Sequence, residues 1–189
     1  MTAVFTPLTR EPIGQVLTAE QYDALPENEL RELVDGVIRI MASPTMGHQV
    51  VARELGHMLD RLGRPAGYRA TGPLEVKLRP DRRRNPDVVV VPATSFERKA
   101  CRVEPRYVLL AVEVVSPGSE TDDRREKPFE YAEGGIPHYW RVELEPDLVI
   151  HTYRLDQSRY RSTGSFGAGT TVAAPGLEWA TLAVSDLID

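Results

Sequence analysis

A nine-residue apolar run that contains one carboxylate constrains this chain more than any other feature of its sequence. The run, YVLLAVEVV, extends from Tyr107 to Val115, and its only charged residue is Glu113. Such a run is typical of a strand covered on both faces, and burying an unpaired carboxylate costs several kcal/mol. Glu113 therefore needs a cation, a proton or a metal ion, unless its face of the strand is wet. The apolar neighbours on that face, which include Leu109 and Ala111, make a wet face the weaker interpretation.

A second carboxylate, Asp87, lies at the entrance of another apolar strand. It follows Pro86 and precedes the β-branched run Val88–Val91, and proline is tolerated at the first residue of a strand. If Asp87 and Glu113 stand at neighbouring strand ends, they form an oxygen-rich corner that suits Mg²⁺ or Mn²⁺. An aspartate after proline is also typical of a turn or cap, so Asp87 alone indicates little.

Asp123 and Lys127 are four residues apart in the predicted helix that follows Glu113. One interpretation is a surface ion pair worth a few tenths of a kcal/mol. In the other, Lys127 points back towards the carboxylates, where it would steady a water molecule or the charge developing on a phosphate. The short connection after the Glu113 strand keeps the second interpretation open.

The order of predicted elements indicates one mixed α/β domain over residues 17–189, preceded by a loose arm at 1–16. Thr18 and Gln21 fit a capping box for a short helix that ends at Pro26. The pair Asp35-Gly36 predicts a hairpin over residues 30–41. We further predict helices at 45–62, ended by Gly63, and at 122–133, and strands at 74–78, 88–91, 107–115, 138–144, 148–154 and 159–162.

Composition limits the classes of function. The chain has 23 basic and 28 acidic residues and a net charge of −5, which argues against a general nucleic-acid coat. Residues 71–110 carry 9 basic and 5 acidic side chains, whereas residues 111–189 carry 7 and 14. No stretch of about 20 residues lacks charge, so we expect no membrane span. The single Cys101 excludes a disulfide framework, and with no apolar leader a cytoplasmic location is expected.

Six short segments, in this order, resemble the Uma2 family of endonucleases within the PD-(D/E)xK restriction-endonuclease-like superfamily. They are ELVDG at 32–36, SPTMGHQ at 43–49, NPDVVVV at 85–91, EVVSPGSE at 113–120, DRREK at 123–127 and YAEGGIPHYW at 131–140. The resemblance implies a restriction-endonuclease-like α/β core with a central mixed β-sheet flanked by helices. An N-terminal helix and hairpin and extra C-terminal strands would surround that core. It also implies divalent-metal-dependent cleavage of DNA.

The resemblance also implies roles for individual residues. Asp87 and Glu113 match the metal ligands of the superfamily, with Mg²⁺ or Mn²⁺ as cofactor and the Val114 carbonyl as a further ligand. The superfamily usually has a lysine two residues after the second acid, but this position is Val115 here. Lys127 is therefore the candidate for the missing lysine.

Other candidate residues have a structural alternative. Glu32 and His48 match family positions and could line the same cleft, but Glu32 could equally face solvent and His48 could flank the core. Asp123 would orient Lys127 or add to the acidic corner. Arg82, Arg83 and Arg84 would ordinarily form a solvated loop, yet beside Asp87 they could bind phosphates. His138 replaces an acid of the family, which we interpret as a tolerated change away from the chemistry.

Three functional hypotheses follow. The favoured one is metal-assisted hydrolysis of DNA. The second is an inactive protein that keeps the nuclease fold as a DNA-binding or protein-interaction scaffold, and the acidic net charge and the absent nearby lysine favour it. The third is a glycosidase with two carboxylates, for which four Phe and two Trp offer few sugar-binding surfaces. Cutting both strands of a duplex would also call for a homodimer.

Overall fold

The computed structural model describes residues 13–26 and 30–188. Residues 1–12, which form most of the predicted arm, lie outside this range, and Val16 forms an isolated antiparallel bridge with Val37. Within the described ranges, none of the helices combines the length and the apolar character that crossing a bilayer would require.

In the described part of the chain, the secondary structure consists of three α-helices, several short 3₁₀ or π turns and thirteen strands. The α-helices are α1 (Ala19–Asp23), α2 (Met46–Gly63) and α3 (Lys127–Glu133). In chain order, the strands are β1 (Arg31–Val34), β2 (Val37–Ile40), β3 (Tyr68–Thr71), β4 (Glu75–Arg79), β5 (Arg82–Arg84), β6 (Val88–Pro92), β7 (Arg102–Val103), β8 (Leu110–Val114), β9 (His138–Glu143), β10 (Val149–Asp156), β11 (Arg159–Gly167), β12 (Thr171–Val172) and β13 (Leu182–Ala183).

These strands form two main sheets. The first has the order β2-β1-β5-β4-β7, the second has the order β11-β10-β9-β8-β6-β3, and β12 and β13 pair separately. In the second sheet β8 runs parallel to β9 and antiparallel to β6. A parallel pair needs a crossover connection, and α3 provides it. The expected mixed α/β class with a central mixed sheet is confirmed.

Local sequence signals explain the N-terminal elements. The capping box of α1 is present, since Thr18 and Gln21 exchange side-chain to backbone hydrogen bonds. The β1-β2 hairpin turns through Asp35 and Gly36, whose φ values of 52° and 75° are those of a type I′ turn. Both predictions are confirmed.

The predicted end of α2 at Gly63 is confirmed, since α2 spans Met46–Gly63. The chain continues from α2 into a short 3₁₀ helix, Arg64–Ala66, and leaves it at Gly67 with φ of 84°. Gly63 is required for space, because a Cβ there would lie 3.1 Å from the Trp179 ring and 3.2 Å from Tyr68.

The predicted strand at 107–115 is real but shorter, since Pro105–Tyr107 form a 3₁₀ turn before β8. Its two faces are buried in different apolar clusters. Val112 faces the cluster that contains Leu55 of α2, and Ala111 faces the cluster that contains Tyr131 of α3. The expectation of a strand covered on both sides is confirmed.

The helix predicted at 122–133 begins with a π-helical turn. Asp122–Glu126 are π-helical, and the backbone N–H of Lys127 donates to the carbonyl of Asp122. Such wide turns are frequent at functional sites. Five strands, β3, β5, β7, β12 and β13, had no counterpart among the predicted strands.

Candidate active site

The neighbouring ends of β6 and β8 bring Asp87 and Glu113 together. Val88 pairs with Val112 in the antiparallel register, so one step further along the register Asp87 stands opposite Glu113. Residues directly opposite each other on antiparallel strands have Cβ atoms about 5 Å apart. Both residues line a cleft of about 820 Å³, whose walls come from β2, α2 and the segment that leads into α3.

The carboxylate of Glu113 is buried and bonded to two donors. Its side chain is 2% exposed, and its oxygens accept from Lys127 Nζ at 2.9 Å and from the Tyr131 hydroxyl at 2.5 Å. Burial raises the pKa of Glu113 well above its ordinary value, and the charges of Asp123 and Asp87 add to this although Lys127 opposes it. The raised pKa of Glu113 is therefore due first to its burial and only then to the neighbouring acids.

Lys127 bridges two acids. Its Nζ lies 2.8 Å from Asp123 Oδ1, and Asp123 in turn accepts from the Ser119 hydroxyl at 2.5 Å. Burial alone would lower the pKa of Lys127, but the carboxylates of Glu113, Glu32 and Asp123 outweigh it and hold that pKa well above its ordinary value. The surroundings therefore favour the ammonium form of Lys127, and its Nζ points to the carboxylates as the second interpretation expected.

Asp87 is bonded to the end of β8 and to α2. Its Oδ2 accepts from the backbone N–H of Val114 at 2.7 Å and lies 3.2 Å from Nε2 of His48. Burial opposes the charge on His48, but Asp87, Asp123 and the Val114 carbonyl outweigh it and raise the pKa of His48. The His48 side chain is buried and also lines the cleft.

Gly72 fixes the backbone at Asp87. A Cβ on Gly72 would lie 1.9 Å from the carbonyl oxygen of Asp87 and 2.9 Å from its carbonyl carbon. No side chain fits in that gap, so glycine allows the segment between β3 and β4 to approach the entrance of β6. The position of the Asp87 carboxylate therefore depends on a residue with no functional group.

Arg82–Arg84 are not a solvated loop, and this expectation is corrected. They form β5, and Arg84 is fully buried with its guanidinium bonded to both oxygens of Glu130 and to Glu32. Arg82 is paired with Glu130 and Asp35. Arg83 is buried and lies 3.8 Å from Glu75. None of the three arginines lines the cleft, so the geometry gives these residues a structural role.

Glu32 is not solvent-facing. It is 2% exposed, and it accepts from Arg84 at 2.7 Å and from the backbone N–H of Asn85 at 3.1 Å. It also lines the cleft and contributes to the raised pKa of Lys127. Glu32 thus links the first sheet electrostatically to the site, and its own oxygens are occupied by Arg84 and Asn85.

The remaining histidines lie in different surroundings. His138 begins β9, and it pairs in register with Leu110 at the far end of β8 from Glu113. Burial lowers the pKa of His138 to about 4. His57, to which the sequence assigned nothing, lines the cleft from α2.

Sequence reasoning missed Tyr131 and Ser119 as partners of the acids. Tyr131 could have been found, because Asp123, Lys127 and Tyr131 follow one another at intervals of four residues and so share one helix face. Ser119 lies in a loop, where no periodicity predicts the direction of a side chain.

The donors that could hold a divalent cation are the carboxylates of Asp87 and Glu113 and the carbonyl of Val114. Across the parts of the chain that the structure describes, no group of three or more His, Cys, Asp or Glu is arranged to hold a metal ion. Mg²⁺ does not need such a group, since it usually keeps several waters and binds one or two carboxylates together with substrate phosphates.

Comparison with known proteins agrees with the sequence resemblance. The model of the Uma2 family, described as "Putative restriction endonuclease", matches residues 19–185. A crystal structure of "a putative nuclease belonging to DUF820" from Anabaena variabilis ATCC 29413 is similar with a TM-score of 0.71 and 19% identity, covering 90% of this chain and 97% of that chain. This likeness shows the fold. No curated protein matches the chain.

Proposed function

From the premise that the chain belongs to the Uma2 family, we propose that it is a divalent-metal-dependent endonuclease that hydrolyses DNA phosphodiester bonds. One observation carries the proposal: Asp87, Glu113 and Asp123 converge with a buried ammonium, Lys127, on the wall of an open cleft. A nuclease needs a site for a cation and a positive group that can face a phosphate, and these residues supply both.

The site fits Mg²⁺ or Mn²⁺ by its donors and its charge. Asp87, Glu113 and the carbonyl of Val114 would hold the ion, and hard cations prefer such oxygens. The raised pKa values of Glu113 and Asp123, caused by burial and by mutual repulsion that Lys127 only partly offsets, indicate a place that a cation would stabilise. When bound, such an ion supplies Lewis acidity towards a phosphoryl oxygen and makes a water molecule more acidic.

Lys127 would stabilise negative charge on the phosphate. An ammonium has three N–H donors, and two of them are directed to Glu113 and Asp123, which leaves one for the cleft. Tyr131 and Ser119 hold the two acids in place. A charge fixed before the reaction costs no reorganisation during it.

His48 would keep Asp87 in place and hold a proton on the opposite wall. Its Nε2 is 3.2 Å from Asp87 Oδ2, and the neighbouring carboxylates, which raise its pKa, favour its protonated form. An imidazolium in this position could donate a proton to a leaving oxygen at the cleft.

The test is nicking of supercoiled plasmid with Mg²⁺ or Mn²⁺, compared with EDTA. We expect cleavage by the natural chain and a loss of about 100-fold or more in E113Q and D87N, since each removes a carboxylate that the chemistry uses. E75Q is the matched control: Glu75 is also a buried acid, but it bonds Tyr22 outside the cleft. Full activity of E113Q in a folded protein would refute the proposal.

A second candidate function, a DNA-binding or protein-interaction scaffold without catalysis, is favoured by one observation. Both oxygens of Glu113 already accept from Lys127 and Tyr131, so the site is partly neutralised without a metal. Calorimetric titration with Mn²⁺ separates the two functions, because heat that disappears in E113Q supports the nuclease and no heat supports the scaffold.

A homodimer belongs to the proposal, since two-fold symmetry would supply two sites for the two strands of a duplex. Analytical ultracentrifugation with and without duplex DNA tests this point. A protein that stays monomeric with DNA would make single-strand nicking the expected product.

A further inference from the structure

A second cavity lies on the outer side of α3, against β9, β10 and β11. It has a volume of about 270 Å³, and we call it the arginine–tyrosine groove. The residues that line it include Arg125, Phe129, Tyr139, Tyr153, Arg159 and Tyr160. Neither the family match nor the proposed chemistry uses this groove.

The floor of the groove is a set of fixed aromatic rings. The ring centroid of Tyr139 is 5.8 Å from that of Tyr153 and 5.6 Å from that of Tyr160, and both pairs are stacked with interplanar angles of 30°. The hydroxyl of Tyr160 donates to the carbonyl of Ile136 at 2.8 Å. Tyr139 is buried beneath the floor, so a flat ligand would contact the half-buried rings of Tyr153 and Tyr160. Because these rings are already held, such contact has a small cost in side-chain entropy.

One wall of the groove exposes a large apolar ring. Phe129 of α3 is 60% exposed, and it follows Pro128, which also lines the groove. An exposed aromatic ring beside other aromatic rings is a surface on which a planar group can stack.

The groove is positively charged although the chain is acidic. Four arginines line it and no acid does, while the whole chain has a net charge of −5. Two of them, Arg124 and Arg141, are paired with Glu143 at 2.8 and 2.9 Å. Within residues 13–26 and 30–188, Arg125 and Arg159 have no carboxylate partner. The groove therefore offers two cations to an anionic ligand.

We propose that the arginine–tyrosine groove binds a nucleotide of single-stranded nucleic acid, with the base against Phe129 and the tyrosine floor and the phosphate on Arg125 and Arg159. Aromatic rings that stack bases, together with arginines that follow the backbone, are how proteins bind single strands without sequence preference. The volume is below the roughly 300–1,000 Å³ of pockets for larger ligands, which suits one nucleotide and not a duplex.

The groove and the cleft share one helical segment. Arg124 of the groove directly follows Asp123 of the cleft, and the hydroxyl of Tyr139 donates to the carbonyl of Asp123 at 2.7 Å. A role in holding a strand next to the scissile bond rests on the proposed nuclease function, whereas binding of a single strand does not.

The competing occupant is a second copy of this chain. A symmetric dimer places the same patch of both subunits in contact, so the arginines of one groove would face those of the other. Like charges brought together oppose such a contact, and a polyanion is therefore the favoured occupant.

The test is fluorescence anisotropy of a labelled thymidine oligonucleotide of about 12 nucleotides, with EDTA present so that no cleavage occurs. We expect the natural chain to bind and F129A to bind about 5-fold more weakly or worse, as the loss of base stacking requires. We expect R125A/R159A to weaken binding and to reduce the slope of log affinity against log salt by about 1.4, since each lost phosphate contact contributes about 0.7.

Matched controls separate the groove from general charge. R61A/R98A removes two exposed arginines that do not line the groove, and it should keep most of the affinity. Phe129, Arg125 and Arg159 are exposed, so F129A and R125A/R159A should keep the melting temperature of the natural chain.

Three results would overturn the inference: no binding by the natural chain, equal binding by F129A, or equal losses in R125A/R159A and R61A/R98A. Sedimentation adds a fourth, because a natural chain that dimerises and an F129A variant that is monomeric would assign the groove to a second copy. Failure of nicking with intact, Phe129-dependent binding would count against the nuclease proposal alone.

Discussion

Replacing Lys127 by methionine should destabilise the protein strongly and in a pH-dependent way. The variant keeps the length of the side chain but leaves Glu113 and Asp123 buried without their cation, and both acids lie within 3 Å of Nζ at 2.9 and 2.8 Å. Removing one partner of a buried ion pair costs about 3–5 kcal/mol. For a domain of this size, that loss lowers the melting temperature by about 6–20 °C.

The pH dependence follows from Glu113. In the natural chain, the charge of Lys127 lowers the pKa of Glu113. Without Lys127, this already raised pKa rises further. In the unfolded chain the pKa of a glutamate is near 4.5, and in the folded protein the pKa of Glu113 is higher. At pH values below the unfolded-state pKa, the protonated carboxyl makes its full contribution to the stability of the folded state. That contribution is lost as the pH rises through the folded pKa. K127M should therefore be closer to the natural chain in stability at about pH 5 than at about pH 8.

Urea unfolding at the two pH values measures this effect, with K99M as control because Lys99 is exposed and its loss should change stability by less than about 0.5 kcal/mol. The double variant K127M/E113Q should recover about 1 kcal/mol or more at the higher pH, since it removes one unpaired charge. A K127M variant that is as stable as the natural chain at both pH values would refute the interpretation of Lys127 as a buried ammonium.

Three further predictions concern other parts of the molecule. R84M should lose about 3–5 kcal/mol in urea unfolding, because it removes the buried guanidinium that Glu130 and Glu32 share; a loss below about 1 kcal/mol would contradict the structural role of Arg84. G72A should lose about 1–3 kcal/mol because its Cβ meets the backbone of the Asp87 residue, and it should also lose nicking activity, whereas an inert substitution would contradict the close approach. The ring protons of His138 in NMR spectra should titrate with a pKa of about 4, and a midpoint near 6.5 would contradict its burial.

The sequence left two places open for Lys127, a surface ion pair or the neighbourhood of Glu113, and the family resemblance favoured the second, which the structure shows. The apolar run around Glu113 requires a partner for its carboxylate, and the helical spacing of Asp123 and Lys127 provides one after a short connection. Asp87 was predictable for a similar reason, since it stands where a buried strand begins.

The buried ionic cluster could not be predicted from the sequence. A run of three arginines normally indicates a solvated loop, and only the tertiary structure shows that Glu32 and Glu130, which are distant in sequence, reach Arg84. The π-helical turn was missed because an i→i−5 bond leaves no signature in composition. Strand β3 alternates Tyr68 and Ala70 with Arg69 and Thr71, but its four residues are too few for this alternation to predict a strand.

The most direct test of the central claim is an anomalous diffraction map from a crystal soaked in Mn²⁺. The account predicts a peak about 2.1 Å from carboxylate oxygens of Asp87 and Glu113, with no peak there in crystals of E113Q. A map with no Mn²⁺ at these residues, or with Mn²⁺ bound only elsewhere, would contradict the claim that Glu113 is buried at this place to bind a cation.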